Sequence, residues 1–207
     1  MPVYFIGAGA GDPELMTVKG KNILGKADTV IYAGSLVNPD VLDYAPETAE
    51  TFNSAELNLD EIMEKALPPA RDGKVVARVH TGDPSIYGSL QEQIEFLEGR
   101  GVDYEVVPGV SSLVAAAAAV GREYTLPEVS QSVIVTRLEG RTPVPEGESL
   151  GELAVHRTSM AIFLSVHMID RVVDELKSGY EDETPVAVVK KASWPEEKVV
   201  KGKLENI

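Results

Sequence analysis

The sequence predicts an α/β protein of two unequal domains, the first built on a mostly parallel sheet with helices on its faces. Three observations carry this. Apolar, β-branched strands alternate with helix-spaced segments through the first 120 residues. Three of those strands run straight into turns rich in glycine. The rhythm then breaks at the polar stretch "GREYTLPEVSQ", 121–131, before strands and helices resume. A break of that kind marks a domain boundary, giving 1–122 and 123–207.

Val3–Gly9 reads as the first strand, and Leu15–Lys26 as a helix on Leu15, Val18, Ile23 and Leu24. Thr29–Ala33 is a second strand. A helix over Asn58–Ala70 presents Leu59, Ile62, Met63, Ala66 and Leu67 and is ended by Pro68–Pro69. Val75–Val79 is a strand, Leu90–Leu97 a helix, Tyr104–Val107 a strand, and an alanine-rich helix starts near Ser111. Beyond the break, strands are expected at Ser132–Thr136, Met160–Ser165, Pro185–Lys190 and Lys198–Lys201. A long loop covers "EGRTPVPEGES" and a helix covers Ile169–Lys177. The closing "KGKLENI" looks like a helix just starting, so the second domain is expected to be short of an element.

Composition narrows the function classes. A net charge of −14 and 19 scattered basic residues lack the basic stripe that displaces counterions from nucleic acid. No apolar run approaches the roughly 20 residues of a membrane span, and "MPVYFIGAG" enters a strand with no leader-like pattern. Nucleic-acid and membrane partners are therefore not expected, and a cytoplasmic location is. With no cysteine, disulfides, thiolate metal sites and a thiol nucleophile are excluded. His80, His156 and His167 show no metal-ligand spacing and are expected to be structural, so no metal site is expected.

The turns carry the functional signal. "FIGAGAGDPEL" offers Gly7 and Gly9 to a dinucleotide fingerprint, but Asp12 stands at the third glycine and no acid ends the second strand. A nicotinamide-dependent oxidoreductase therefore rests on a partial match only. As a plain turn, Asp12 caps a helix that Pro13 opens. The phrase Gly-Asp-Pro returns in "HTGDPSIYG", and "VPGVSS" at 107–112 follows a third strand. In a parallel sheet all three lie beyond the carboxyl ends of the strands, where small molecules bind. Each alone is an ordinary turn; together they point to a cleft.

"GAGAGDPELMTVKG", "HTGDPSIYG" and "VPGVSS" resemble the signatures of the class III S-adenosylmethionine-dependent methyltransferases, the tetrapyrrole methylases, in order and spacing and over essentially the whole chain. Within that family, "ADTVIYAGSLV" and "TRLEGRTPVPEGESL" resemble the branch that methylates a corrin precursor at C-11 in cobalamin synthesis. The resemblance implies two αβα domains, the second with a mixed sheet, in a homodimer that takes S-adenosylmethionine as methyl donor and an anionic tetrapyrrole as substrate. It implies donor contacts at Thr81, Gly82, Asp83, Ile86, Tyr87, Pro108, Ser111, Ser112, Leu164, Ala187 and Ala192. The loop from Gly9 through Gly11 to Asp12 would face the ring, with Asp12 as the catalytic acid or base. Arg137, Arg141 and Lys190 would pair with the ring's carboxylates, although Arg141 reads equally as a solvated loop residue. The family's first loop often reads Gly-Pro-Gly-Asp-Pro; Ala10 in its second place removes a φ constraint and should loosen it. The readings left beside this one are a methylase of another ring position, a nicotinamide-dependent enzyme, and a non-catalytic module that binds donor or tetrapyrrole.

Overall fold

The computed structural model describes residues 2–140 and 142–207. Internal contacts divide the chain into Met1–Ala115 with Lys191–Glu196, and Ala116–Lys190 with Glu197–Ile207. In the first unit the strands β1 (Val3–Gly7), β2 (Thr29–Tyr32), β3 (Glu50–Asn53), β4 (Val76–His80) and β5 (Tyr104–Val107) form one sheet, ordered β3-β2-β4-β1-β5. Every pairing in it is parallel. Side chains of a strand alternate between faces, and β1 shows what that does here. Val3 and Phe5 join one core cluster, while Ile6 joins the other with Ala8 just beyond the strand. Helix α1 (Val18–Leu24) contributes Leu24 to the Ile6 side. Helix α2 (Leu59–Arg71) lays Ile62, Met63, Ala66 and Ala70 on the Phe5 side, and α3 (Leu90–Glu98) adds Leu97 there. Helix α4 (Ser112–Val120) follows β5.

The second unit pairs β6 (Val133–Arg137) with β7 (Ser159–Phe163) in parallel, and β8 (Pro185–Lys190) with β9 (Lys198–Lys203) antiparallel. Its core gathers Leu138 and Leu204 with Leu150 and Ala154 of α5 (Leu150–Ala154) and Val172 and Leu176 of α6 (Ile169–Leu176). The α/β class, with a parallel first sheet and mixed pairing in the second unit, is as the sequence predicts.

Several element boundaries differ for physical reasons. The first strand stops at Gly7, because Gly9 turns into the left-handed region at φ +81°. The helix expected from Leu15 divides: Pro13–Leu15 is a single 3-10 turn, and α1 starts afresh where the Thr17 hydroxyl accepts from Gly20 N–H at 3.2 Å. Pro68–Pro69 does not end α2, which runs through both prolines to Arg71, with Asp72 N–H still reaching Pro68 O at 3.0 Å. Proline forfeits its own donor but remains an acceptor, so the last turn closes on proline carbonyls. Within the expected loop's far end a helix begins: α5 is started by a capping box between Ser149 and Glu152. "KGKLENI" starts no helix: β9 extends to Lys203, and Leu204 is buried as Leu204 N–H donates to Thr184 O at 2.9 Å. Among the described residues no helix is long and apolar enough to cross a membrane.

Candidate functional site

Because β4, β1 and β5 are adjacent and parallel, the loops that follow them emerge side by side. They touch backbone to backbone. A Cβ on Gly7 would stand 2.5 Å from Gly82 O and 2.6 Å from the Cα of Gly109. One on Gly109 would strike Gly82 O and lie 2.7 Å from the Cα of Gly7. Gly9 and Gly82 exchange hydrogen bonds, Gly82 N–H to Gly9 O at 2.9 Å and Gly9 N–H to Gly82 O at 3.3 Å. Glycine is required for proximity at Gly7 and Gly109, and for conformation at Gly9 and Gly82, whose φ values are +81° and +60°.

Asp83 locks two of these loops together. Its carboxylate accepts from Gly109 N–H at 2.9 Å, from Ser85 N–H at 2.9 Å, and from the Ser85 hydroxyl. Partial burial alone pushes the Asp83 carboxyl up, but the bonds from Ser85 and Gly109 outweigh it and hold the group below its ordinary value. Asp83 and Pro84 open no helix: 84–87 is a turn and α3 begins at Leu90. Tyr87 in that turn, at φ +53°, and Ser89 just before α3, at φ +47°, are side-chain-bearing residues in the left-handed region. Such a conformation costs about 1–2 kcal/mol per residue.

A buried polar chain underlies the turn. The Arg78 guanidinium, 6% exposed in the middle of β4, donates to Gln93 Oε1 at 3.1 Å and to Ile31 O at 3.3 Å. Gln93 in turn donates to Ser89 O at 2.8 Å. Burial lowers the Arg78 pKa to about 10, which leaves it charged at neutral pH. His80, at the end of the same strand, is lowered to about 3 by burial first and the Arg78 charge second, with Asp83 opposing. It is therefore a neutral imidazole. Neither its Nε2 nor the Thr81 hydroxyl beside it has a hydrogen-bond partner among the described residues, although both atoms are buried. An orphaned hydroxyl next to Gly82, which has ordinary contact room toward Ser111 at 3.4 Å, suits a bound polar ligand.

The first loop is held differently. Asp12 Oδ1 accepts from Glu14 N–H at 2.9 Å, the local cap that the sequence suggested. The loop backbone is gripped by side chains distant in sequence. Trp194 Nε1 donates to Ala10 O at 3.0 Å, Asn38 Nδ2 donates to Gly11 O at 2.8 Å, and Asp12 N–H donates to Ser193 Oγ at 3.0 Å. None of these three side chains was expected at the site. The one available signal was the chain's single tryptophan.

Of the expected site residues, Gly9, Gly11, Asp12, Thr81, Gly82, Asp83, Ile86, Tyr87, Pro108 and Ser111 lie on these three loops, Ser112 opens α4 directly after the third, and buried Ala192 belongs to the segment Lys191–Glu196 of the same unit. The Ser111 hydroxyl is used at the start of α4, accepting from Leu113 N–H at 3.2 Å. Leu164, Ala187, Arg137 and Lys190 belong to the second unit. Leu164 is 62% exposed and left-handed at φ +56°, and Ala187 and Lys190 are exposed on β8. Arg137 donates to three carbonyls of the following loop: Thr142 at 3.0 Å, Pro143 at 3.1 Å and Leu138 at 3.4 Å. Arg141 lies outside the described residues. A groove of about 770 Å³ along Tyr4, Val18, Lys19 and Glu105 sits against α1, away from the loops, with Lys19 and Glu105 paired beside it.

Residues 2–207 match the family of tetrapyrrole (corrin/porphyrin) methylases. The chain is 57% identical over 206 residues to a cobalt-precorrin-4 C(11)-methyltransferase of Methanocaldococcus jannaschii, covering 99% of this chain and 80% of that one. It is similar to the X-ray structure of a cobalt precorrin-4 methyltransferase of cobalamin biosynthesis, with a TM-score of 0.96 and 48% identity over 99% of this chain and 86% of that one. A uroporphyrin-III C-methyltransferase from Thermus thermophilus, complexed with S-adenosylhomocysteine, has a TM-score of 0.82 and 31% identity over 99% and 84% of the two chains.

Proposed function

The chain belongs to the tetrapyrrole methylases, and from that premise we propose that it transfers a methyl group from S-adenosylmethionine to C-11 of precorrin-4 or cobalt-precorrin-4. The observation that carries the reading is the joining of three glycine loops at the carboxyl ends of β4, β1 and β5, in a chain so similar throughout to enzymes named for that reaction. The partial dinucleotide fingerprint loses its support once the family is established.

S-adenosylmethionine supplies a methyl group on a positively charged sulfur that leaves as a neutral thioether. The protein's part is to bind, align and exclude water. The orphaned Thr81 hydroxyl fits the polar groups of such a donor. Tyr87 and Ile86 give the same turn an apolar wall. We propose Ser111, Ser112, Leu164 and Ala187 as further donor contacts. Gly9–Asp12 faces the tetrapyrrole. Among the described residues Asp12 Oδ2 carries no hydrogen bond while Oδ1 caps the turn. Asp12 thus combines a fixed carboxylate with a free oxygen able to take the acceptor carbon's proton. Lys190 and Arg141 are candidates for the ring's carboxylates. We further propose a cytoplasmic homodimer.

The test is incubation with donor and the metal-free or cobalt-containing precursor. One methyl mass on the ring, placed at C-11 by NMR of labelled product, is expected. A folded protein that binds S-adenosylhomocysteine and adds no mass refutes the enzymatic reading, and a label elsewhere refutes the ring position.

A further inference from the structure

The first loop reads Gly9-Ala10-Gly11-Asp12, a run with almost no side chain to order it, and it lacks a proline. Left to itself such a run is the most mobile kind of backbone. Yet Gly9, Ala10 and Gly11 are buried, and residues 10, 11 and 12 each have one backbone group fixed by a side chain from elsewhere. We propose that Trp194, Ser193 and Asn38 are positioning residues that hold this loop in the geometry methyl transfer requires. The proposal rests on the reading that Gly9–Asp12 faces the tetrapyrrole.

Each contact is specific in form. Trp194 supplies its single N–H to Ala10 O, and its indole lies so close to Gly11 that a Cβ there would coincide with the ring edge. Position 11 can therefore carry no side chain beneath the indole. Asn38 uses both ends of its amide: Nδ2 donates to Gly11 O, while Oδ1 accepts from Asp40 N–H at 3.1 Å, which fixes its orientation. It is 7% exposed, so water competes poorly for either bond. Ser193 accepts from the amide of Asp12 itself, the residue whose carboxylate placement matters most. The segment carrying Ser193 and Trp194 adopts left-handed backbone at Lys191, φ +52°, and Ser193, φ +66°. Lys191 Nζ then sits 4.7 Å from the indole centroid. Strained backbone of this kind persists where surrounding contacts over-determine it, and here those contacts lead to the loop.

Displacement chemistry makes such a clamp consequential, since misplacement by about 1 Å can cost about a hundredfold in rate. The decisive variants each remove one donor from the clamp. Trp194→Phe keeps a ring and loses the donor; Asn38→Asp keeps the bond to Asp40 N–H and loses the donor to Gly11 O. We expect kcat to fall about tenfold in each, with affinity for S-adenosylhomocysteine by calorimetry unchanged within about twofold. Hydrogen exchange supplies a readout free of turnover: the Asp12 amide should exchange about tenfold faster in Ser193→Ala, and be restored by Ser193→Thr. The peptide over 83–89, beyond the Gly9–Gly82 hydrogen bonds, should be unaffected. Unchanged exchange over 9–12 in these variants, or a loosened loop with full kcat, overturns the proposal. An equal loss of donor affinity overturns it as well. If the wild type methylates no tetrapyrrole, the functional reading fails, and unchanged exchange still decides against the clamp by itself.

Discussion

Gly11-Asp12-Pro13 and Gly82-Asp83-Pro84 are the same three residues at the end of the same kind of strand, and the molecule uses them in opposite ways. At the first, the carboxylate works locally, capping its own turn through Glu14 N–H, and the backbone is held by side chains from distant segments. At the second, the carboxylate reaches across to Gly109 N–H and joins two loops, while the backbone is shaped from within by Ser85 and by Gln93. A short motif therefore determines the turn, and the neighbours of the turn determine the task.

The comparison can be broken most severely at what both loops share. Gly7→Ala puts a methyl between two backbones that cannot both move, and should cost about 3 kcal/mol of stability. Donor binding should be lost with it, by urea unfolding and calorimetry respectively. Asp83→Ala follows, at about 2 kcal/mol, with affinity for S-adenosylhomocysteine down about tenfold or more. Asp12→Ala should cost about 1 kcal/mol, the value of a cap, and leave that affinity within about twofold. Equal effects of the two aspartate variants on donor affinity collapse the contrast.

Acid sharpens it from another side. His80 is held neutral, with a folded pKa of about 3 against an ordinary 6.5. Below pH 6.5 the unfolded chain binds a proton that the folded chain refuses. Stability therefore falls as pH drops from 6.5 toward 3, by up to about 1.4 kcal/mol per pH unit. His80→Gln should flatten that slope in urea titrations. Asp83, whose pKa is depressed, contributes stability that is lost only as pH falls through the acid range below its ordinary 3.8. The smallest change is Asp12→Asn, which keeps a capping oxygen. Stability should stay within about 0.5 kcal/mol while turnover drops; unchanged turnover removes Asp12 from the proton transfer.

Strands and helices with a clear apolar period were legible in the sequence, as were the turns after β1, β4 and β5. What was missed lacked that signal. β3, "ETFN", is an edge strand whose side chains are mostly exposed, so no alternation marks it. The short α5 carried only its capping box, Ser149 with Glu152, inside a proline-rich loop. The bonds of Arg137 to the Thr142 and Pro143 carbonyls depend on how one loop folds back, which no local pattern announces. The clamp on the first loop was least legible of all. Ser193 and Trp194 stand more than 180 residues from the groups they hold, and no local pattern spans that separation.

The contact of Gly7, Gly82 and Gly109 also constrains anyone wishing to retarget the enzyme. Grafting one loop from a relative with a different ring position would bring a backbone shaped against two foreign neighbours. The three turns form one cassette, to be exchanged together or left in place.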